Sequence, residues 1–225
     1  MRKPFFLLWI LCILGSLSVL PYVYYLQLLP TSISLFKVVI LVSFQAALLF
    51  GLLCWLSSKI LPKTDLRPFS FDKKILLPAI ISGILVGLTL VFFDQIFSSP
   101  LTHLYPPIWT GALASLYGAI NEEVSLRLFL FTLVYFLTGK CIKIQQGNRT
   151  AILWATNIFV ALLFGVGHLP AAAKLIPLVP FEVFRILFLN GIAGAVFGWL
   201  YWTRGLWAAM VAHFVADLMI HVFLR

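Results

Sequence analysis

Long apolar runs separated by short polar stretches dominate the chain. They cover residues 5–29, 35–57, 75–97, 108–137, 151–167, 181–202 and 206–224. About 20 apolar residues in a helix cross the roughly 30 Å hydrocarbon layer of a membrane, so each run predicts a spanning helix. Pro21 interrupts the first run. The third carries Gly83 and Gly87, and the sixth carries Gly191, Gly194 and Gly198. Small residues at that spacing let two helices approach closely. The stretch 169–180 contains Pro170, Pro177 and Pro180, which argues against a continuous helix. It predicts either an exposed loop or a re-entrant segment, and the expectation is that it turns inward or that the spans are strongly displaced. The fold class is therefore an all-α polytopic membrane protein with about seven transmembrane helices, eight if the re-entrant segment counts. Residues 1–107 supply three spans, and residues 108–225 supply a core of four that holds the candidate site.

Composition agrees with this pattern. The 225 residues are 62% hydrophobic and only 10% charged, with a mean hydropathy of +1.07. A net charge of +9 would suggest nucleic acid in a soluble protein. Here the basic residues lie mainly in short loops, where they set topology and meet anionic lipid, and no nucleic-acid partner is expected. With the N-terminus on the cytoplasmic side, only Lys37, Lys174 and Arg225 among the loop cations fall on the other face. A bacterial cytoplasmic membrane is the expected location. Ser16 and Ser18 could mark a signal-peptide cleavage site, but the apolar run continues past them, so a retained helix is expected. Cys12, Cys54 and Cys141 have no paired spacing and suggest neither disulfides nor a zinc framework.

The acidic residues sharpen the picture. Of seven Asp and Glu, only Asp65 and Asp72 lie in an evident polar loop. Glu122, Glu123 and Arg127 sit inside the fourth run, where a charge costs about 2.5–3.5 kcal/mol on insertion scales. Ala114, Gly118 and Glu122 share one face of a regular helix, leaving space beside Glu122. Glu123 and Arg127 are i, i+4 and can pair. Glu122 then reads as a general base beside a neutralised support pair, or the three as a structural ion network. In the seventh run His213, Asp217 and His221 follow at i, i+4, i+8. Asp217 can orient the His213 imidazole, or the two can bind a metal, whereas His221 reads as interfacial. His168 closes the fifth run after Phe164, as a functional residue or a cap. His103 reads as solvated, Asp94 as interfacial, Glu182 with Arg185 as a local pair, and Asn157 and Asn190 as interhelical hydrogen-bond residues. No HExxH, GxSxG or glycine-rich phosphate loop occurs, which removes support for a serine hydrolase or a nucleotide-driven machine.

Three motifs in order resemble the CPBP intramembrane protease family, which includes CAAX prenyl endopeptidases and bacteriocin-processing or immunity proteins. Glu-Glu-x-x-x-Arg is met by Glu122, Glu123 and Arg127, Phe-x-x-x-His by Phe164 and His168, and His-x-x-x-Asn/Asp by His213 and Asp217. The Thr203–Trp207 turn also resembles the family's closing segment, and the likeness spans about residues 108–220. Leu128 stands where the family often has Gly, and Asp217 where Asn is commoner.

The resemblance implies an intramembrane endopeptidase in which Glu122 and His168 activate water. His213 with Asp217 would stabilise the oxyanion or orient the site, and Glu123 and Arg127 would support Glu122. It leaves open a zinc ion on His168, His213 and a carboxylate from Glu122 or Asp217, or a metal-free glutamate mechanism. The substrate would be a peptide or protein at the membrane, prenylated or a bacteriocin or leader peptide. A non-catalytic binding or immunity protein of the same fold is the rival reading, and a proton-coupled transporter ranks below it, because no paired broken halves are evident. Straight helices would put Glu122, His213 and His168 at different depths, so tilt, displacement or the inward turn of 169–180 is required for them to meet.

Overall fold

The fold is taken from a computed structural model, which describes residues 3–29, 32–69, 73–97 and 106–224. Asp72 and His103 lie outside the described residues. The first span is α1 (Lys3–Ser18) followed by α2 (Leu20–Tyr25), divided at Val19. Pro21 has no amide hydrogen to continue α1, but it suits the first turn of a new helix. Next come α3 (Leu35–Ile60) and α4 (Leu76–Ile96). The fourth span begins with α5 (Ile108–Tyr117) and ends with α6 (Thr132–Cys141). Between these lie two π-helical segments, Gly118–Glu122 and Val124–Phe131. The last three spans are α7 (Gln146–Ala172), α8 (Pro180–Arg204) and α9 (Leu206–Leu218), with a π-helical turn at Met219–Phe223. Among the described residues seven helices are long and apolar enough to cross a membrane, and there is no strand.

Local signals explain the boundaries. Gln145 and Asn148 form a reciprocal cap at the start of α7. Pro180 opens α8, and Gly205 closes it with φ 96°, a conformation that glycine adopts without strain. Large apolar side chains such as Phe36, Phe44, Leu77 and Leu85 face outward, as lipid contact demands. Inward-facing residues from α1, α3, α4 and the last four spans form one continuous core.

Glycine spacing is used where two helices touch. A Cβ at Gly83 would strike the Ala212 carbonyl, and one at Gly87 would strike Met219, so α4 lies directly on α9. At Gly194 a Cβ would come within 2.9 Å of Ala161, and at Gly198 it would overlap Asn157. The Asn157 amide donates to the Ala195 carbonyl at 2.8 Å, tying α7 to α8. Gly191 faces open space and plays no such part.

Several expectations are corrected. The stretch 169–180 does not turn inward. Helix α7 runs past His168 to Ala172 with Pro170 inside it, and most of residues 173–179 are exposed. Pro170 removes one i→i−4 bond, the one to the Val166 carbonyl, and only Ala171 and Ala172 follow it in the helix. Asn190 bonds the Ile186 carbonyl of its own helix at 2.9 Å rather than a neighbour. Asp94 is more than interfacial: it pairs with Arg185, which also holds Glu182 at 3.1 Å, so α4 and α8 share an ion network. The fourth span is not a regular α-helix through residues 118–131, although the i, i+4 pair of Glu123 and Arg127 still forms.

Candidate active site

The site is built around one imidazole. His213, on α9, is buried with 4% of its side chain exposed. Its ring lies nearly parallel to Phe197 of α8, with centroids 4.5 Å apart and planes at 21°. Phe164 of α7 meets it edge-on at 5.9 Å. These aromatic walls fix the ring plane, and the two nitrogens point to different partners.

Nδ1 lies 2.8 Å from Glu123 Oε1. An ionised carboxylate only accepts, so Nδ1 carries the hydrogen of this bond. Nε2 faces Glu122 Oε2 and Asp217 Oδ1, each at 3.6 Å. Adjacent residues therefore straddle a single ring. In a regular α-helix they would diverge by roughly 100°. The π-helical turn, with its longer hydrogen-bonded loop, is wider and narrows that divergence.

Glu123 is fully buried and also meets Arg127 Nη1 at 3.2 Å. Arg127 Nη2 donates to the Gly194 carbonyl of α8 at 3.1 Å. Its guanidinium lies 5.2 Å from the Phe164 ring centre and 5.8 Å from that of Phe197, within reach of a cation–π attraction. The charge of Arg127 is thus distributed among a carboxylate, a carbonyl and two rings. Glu122 differs from its neighbour, with 23% of its side chain exposed, and Asp217 keeps 18% exposed. Gly118 closes one side of this space: a Cβ there would collide with Asp217 and come within 3.0 Å of His213 Nε2.

His168 is placed differently. Its Nδ1 lies 2.9 Å from the Phe164 carbonyl, one turn back on α7. The carbonyl accepts, so Nδ1 carries the hydrogen of this bond. The His168 ring packs edge-on against Phe164 at 4.7 Å, and Phe164 in turn touches His213. Among the described residues no ion pair joins His168 to Glu122. The structure brings Glu122, Glu123, Arg127, His213 and Asp217 together and leaves His168 one aromatic ring away. Among the described residues no three His, Cys, Asp or Glu side chains are arranged to hold a metal ion. The Phe164 ring touches both histidines, with centroids 4.7 Å from that of His168 and 5.9 Å from that of His213.

His221 lies outside the cluster, with Nδ1 3.2 Å from the Tyr22 hydroxyl. One contributor escaped the sequence reading. Asn121, next to Glu122, is completely buried and donates to the Cys12 carbonyl and the Ser16 hydroxyl of α1, both at 2.7 Å. A polar residue in an apolar run was the available signal, but its partners lie more than 100 positions away in the chain.

Comparison with known proteins adds a finding that the geometry alone does not supply. A family model described as type II CAAX prenyl endopeptidase, Rce1-like, matches residues 104–219. No curated protein and no solved structure matches the chain.

Proposed function

The chain belongs to the Rce1-like type II CAAX prenyl endopeptidase family, and from that premise we propose that it is an intramembrane endopeptidase with Glu122 as its general base. The observation that carries this reading is the contrast between two neighbours. Glu123 is buried and committed to Arg127 and His213, whereas Glu122 is partly open and faces the same ring at 3.6 Å. A water beside Glu122 loses a proton to its carboxylate and attacks the scissile carbonyl. His213, doubly protonated, offers Nε2–H to the oxyanion. Asp217 orients that ring when ionised and donates a second hydrogen bond when protonated. Glu122 then returns its proton to the leaving amine. Glu123 and Arg127 hold His213 and the π-helical turn in place.

No step runs through a metal. The substrate is a peptide or protein presented at the membrane, with a prenylated C-terminus favoured over a bacteriocin or leader peptide by the family. The excess of basic residues in the loops supports a cytoplasmic N-terminus.

A non-catalytic binding or immunity role is favoured by one feature, the bond of His168 to its own helix. Replacing Glu122 separates the two readings. Glu122→Ala should abolish cleavage of a farnesylated CAAX peptide, and should leave an uncut precursor in membrane proteomics, while the protein stays folded. Wild-type turnover should survive a zinc chelator. Full function in a well-folded Glu122→Ala protein would sink the protease reading, and chelator loss reversed by zinc would sink the metal-free one.

A further inference from the structure

We propose that Asn121 is a positioning residue, through which α1 sets the angle of the π-helical turn that presents Glu122. This rests on the reading of Glu122 as the base. The side-chain amide of Asn121 donates both its hydrogens to α1, to Cys12 O and Ser16 Oγ at 2.7 Å. Ser16 in turn donates to the Cys12 carbonyl at 2.9 Å. Within its own helix, Ser125 Oγ donates to the Asn121 backbone carbonyl at 2.7 Å. The side chain preceding Glu122 is therefore anchored on α1, and no part of it is exposed.

The fit to α1 is tight. Asn121 Oδ1 has no hydrogen-bond partner among the described residues and lies against Gly15, where any Cβ would displace it. Gly15 is thus the place where α1 admits the amide. A π-helical turn is uncommon, and such turns occur mostly within α-helices at functional sites. Without an external anchor, the backbone can relax to regular i→i+4 bonding. Relaxation would rotate Glu122 and Glu123 relative to His213. Helix α1 lies outside the matched segment 104–219, so the chain's own N-terminal helix contributes to the geometry of the family site.

The test uses the full chain in lipid nanodiscs, with an internally quenched farnesylated CAAX peptide as the probe. Asn121→Ala removes the donors. Gly15→Ala keeps them but pushes Asn121 aside. A misplacement of about 1 Å costs on the order of 100-fold in rate, so both variants should lose about that much in kcat with KM nearly unchanged. Amide hydrogen exchange across residues 118–124 should rise in both, while α8 and α9 keep wild-type protection. Ser16→Ala, which removes one acceptor, should fall between. Wild-type kcat and wild-type exchange in folded Asn121→Ala, beside an inactive Glu122→Ala, would overturn the proposal and leave the protease reading intact. Wild-type turnover in Glu122→Ala would instead overturn the protease reading. In that case, or if the peptide is not cleaved at all, unchanged exchange at 118–124 overturns the anchor and raised exchange supports it.

Discussion

Two adjacent glutamates on one histidine do unequal work, and burial separates them. Glu123 has no exposure and holds Arg127 at 3.2 Å and His213 at 2.8 Å. Deleting one partner of a buried pair costs about 3–5 kcal/mol, because the other charge is left uncompensated. Glu123→Ala and Arg127→Ala should each destabilise by that amount in thermal unfolding, and Glu123→Leu with Arg127→Met should recover much of the loss. Glu122→Ala should unfold close to wild type, since Glu122 keeps access to the open side. Equal destabilisation at positions 122 and 123 would contradict this division. The Glu123–Arg127 pair was legible in the sequence because both residues are local to one helix. The approach of His213 to Glu123 was not, since it crosses 90 positions of chain and depends on how α8 and α9 pack.

At the scale of elements, the π-helical segments decide the site. Hydrogen-bond register leaves no mark in composition or in apolar periodicity, so the fourth span read as a regular helix. Gly118 was placed beside Glu122 by that regular spacing, and the structure keeps it in the site by direct approach to Asp217 and His213. Gly118→Ala should therefore cut turnover by tenfold or more, roughly the effect of 1.4 kcal/mol on the barrier, with little change in unfolding temperature. Wild-type turnover in Gly118→Ala would show that the space is not used. Close helix packing was easier to read. Gly83 and Gly87 mark α4 on α9, and Gly194 and Gly198 mark α8 on α7. His168 was misjudged as a helix end because Pro170 follows it. Helix α7 nonetheless continues past Pro170 to Ala172.

The molecule as a whole is tied at one end by the connection between α3 and α4. Leu206 N donates to the Pro68 carbonyl at 2.8 Å, so this connection holds the start of α9. Asp65 in the same loop accepts from Tyr135 at 2.9 Å and pairs with Arg149. Desolvation raises the Asp65 pKa, but the hydrogen bonds from Arg149 and Tyr135 outweigh it and hold the carboxyl below its ordinary value. A lowered folded pKa contributes stability above the unfolded value of about 3.9, and that stability is lost as pH falls through the folded value. The pair is exposed, so the contribution is about 0–1 kcal/mol. Asp65→Asn should lower the unfolding temperature slightly at neutral pH, and the gap should close in acid; a gap that persisted there would assign the effect to something other than charge. The number of spans was legible because each run must cross alone, whereas their packing order depends on contacts that a linear pattern does not hold. The fourth span has a further consequence. It is 34 residues long, and the last is 18. As uniform α-helices at 1.5 Å per residue they would measure roughly 51 and 27 Å. Glu122 rides on the long one and His213 on the short one. Hydrophobic mismatch costs a fraction of a kcal/mol per Å and is relieved by tilt, so the long span can tilt to follow the lipid while the short one has little slack. Turnover in vesicles of increasing acyl-chain length should pass through a maximum, and a flat profile would show that the two spans move as one body.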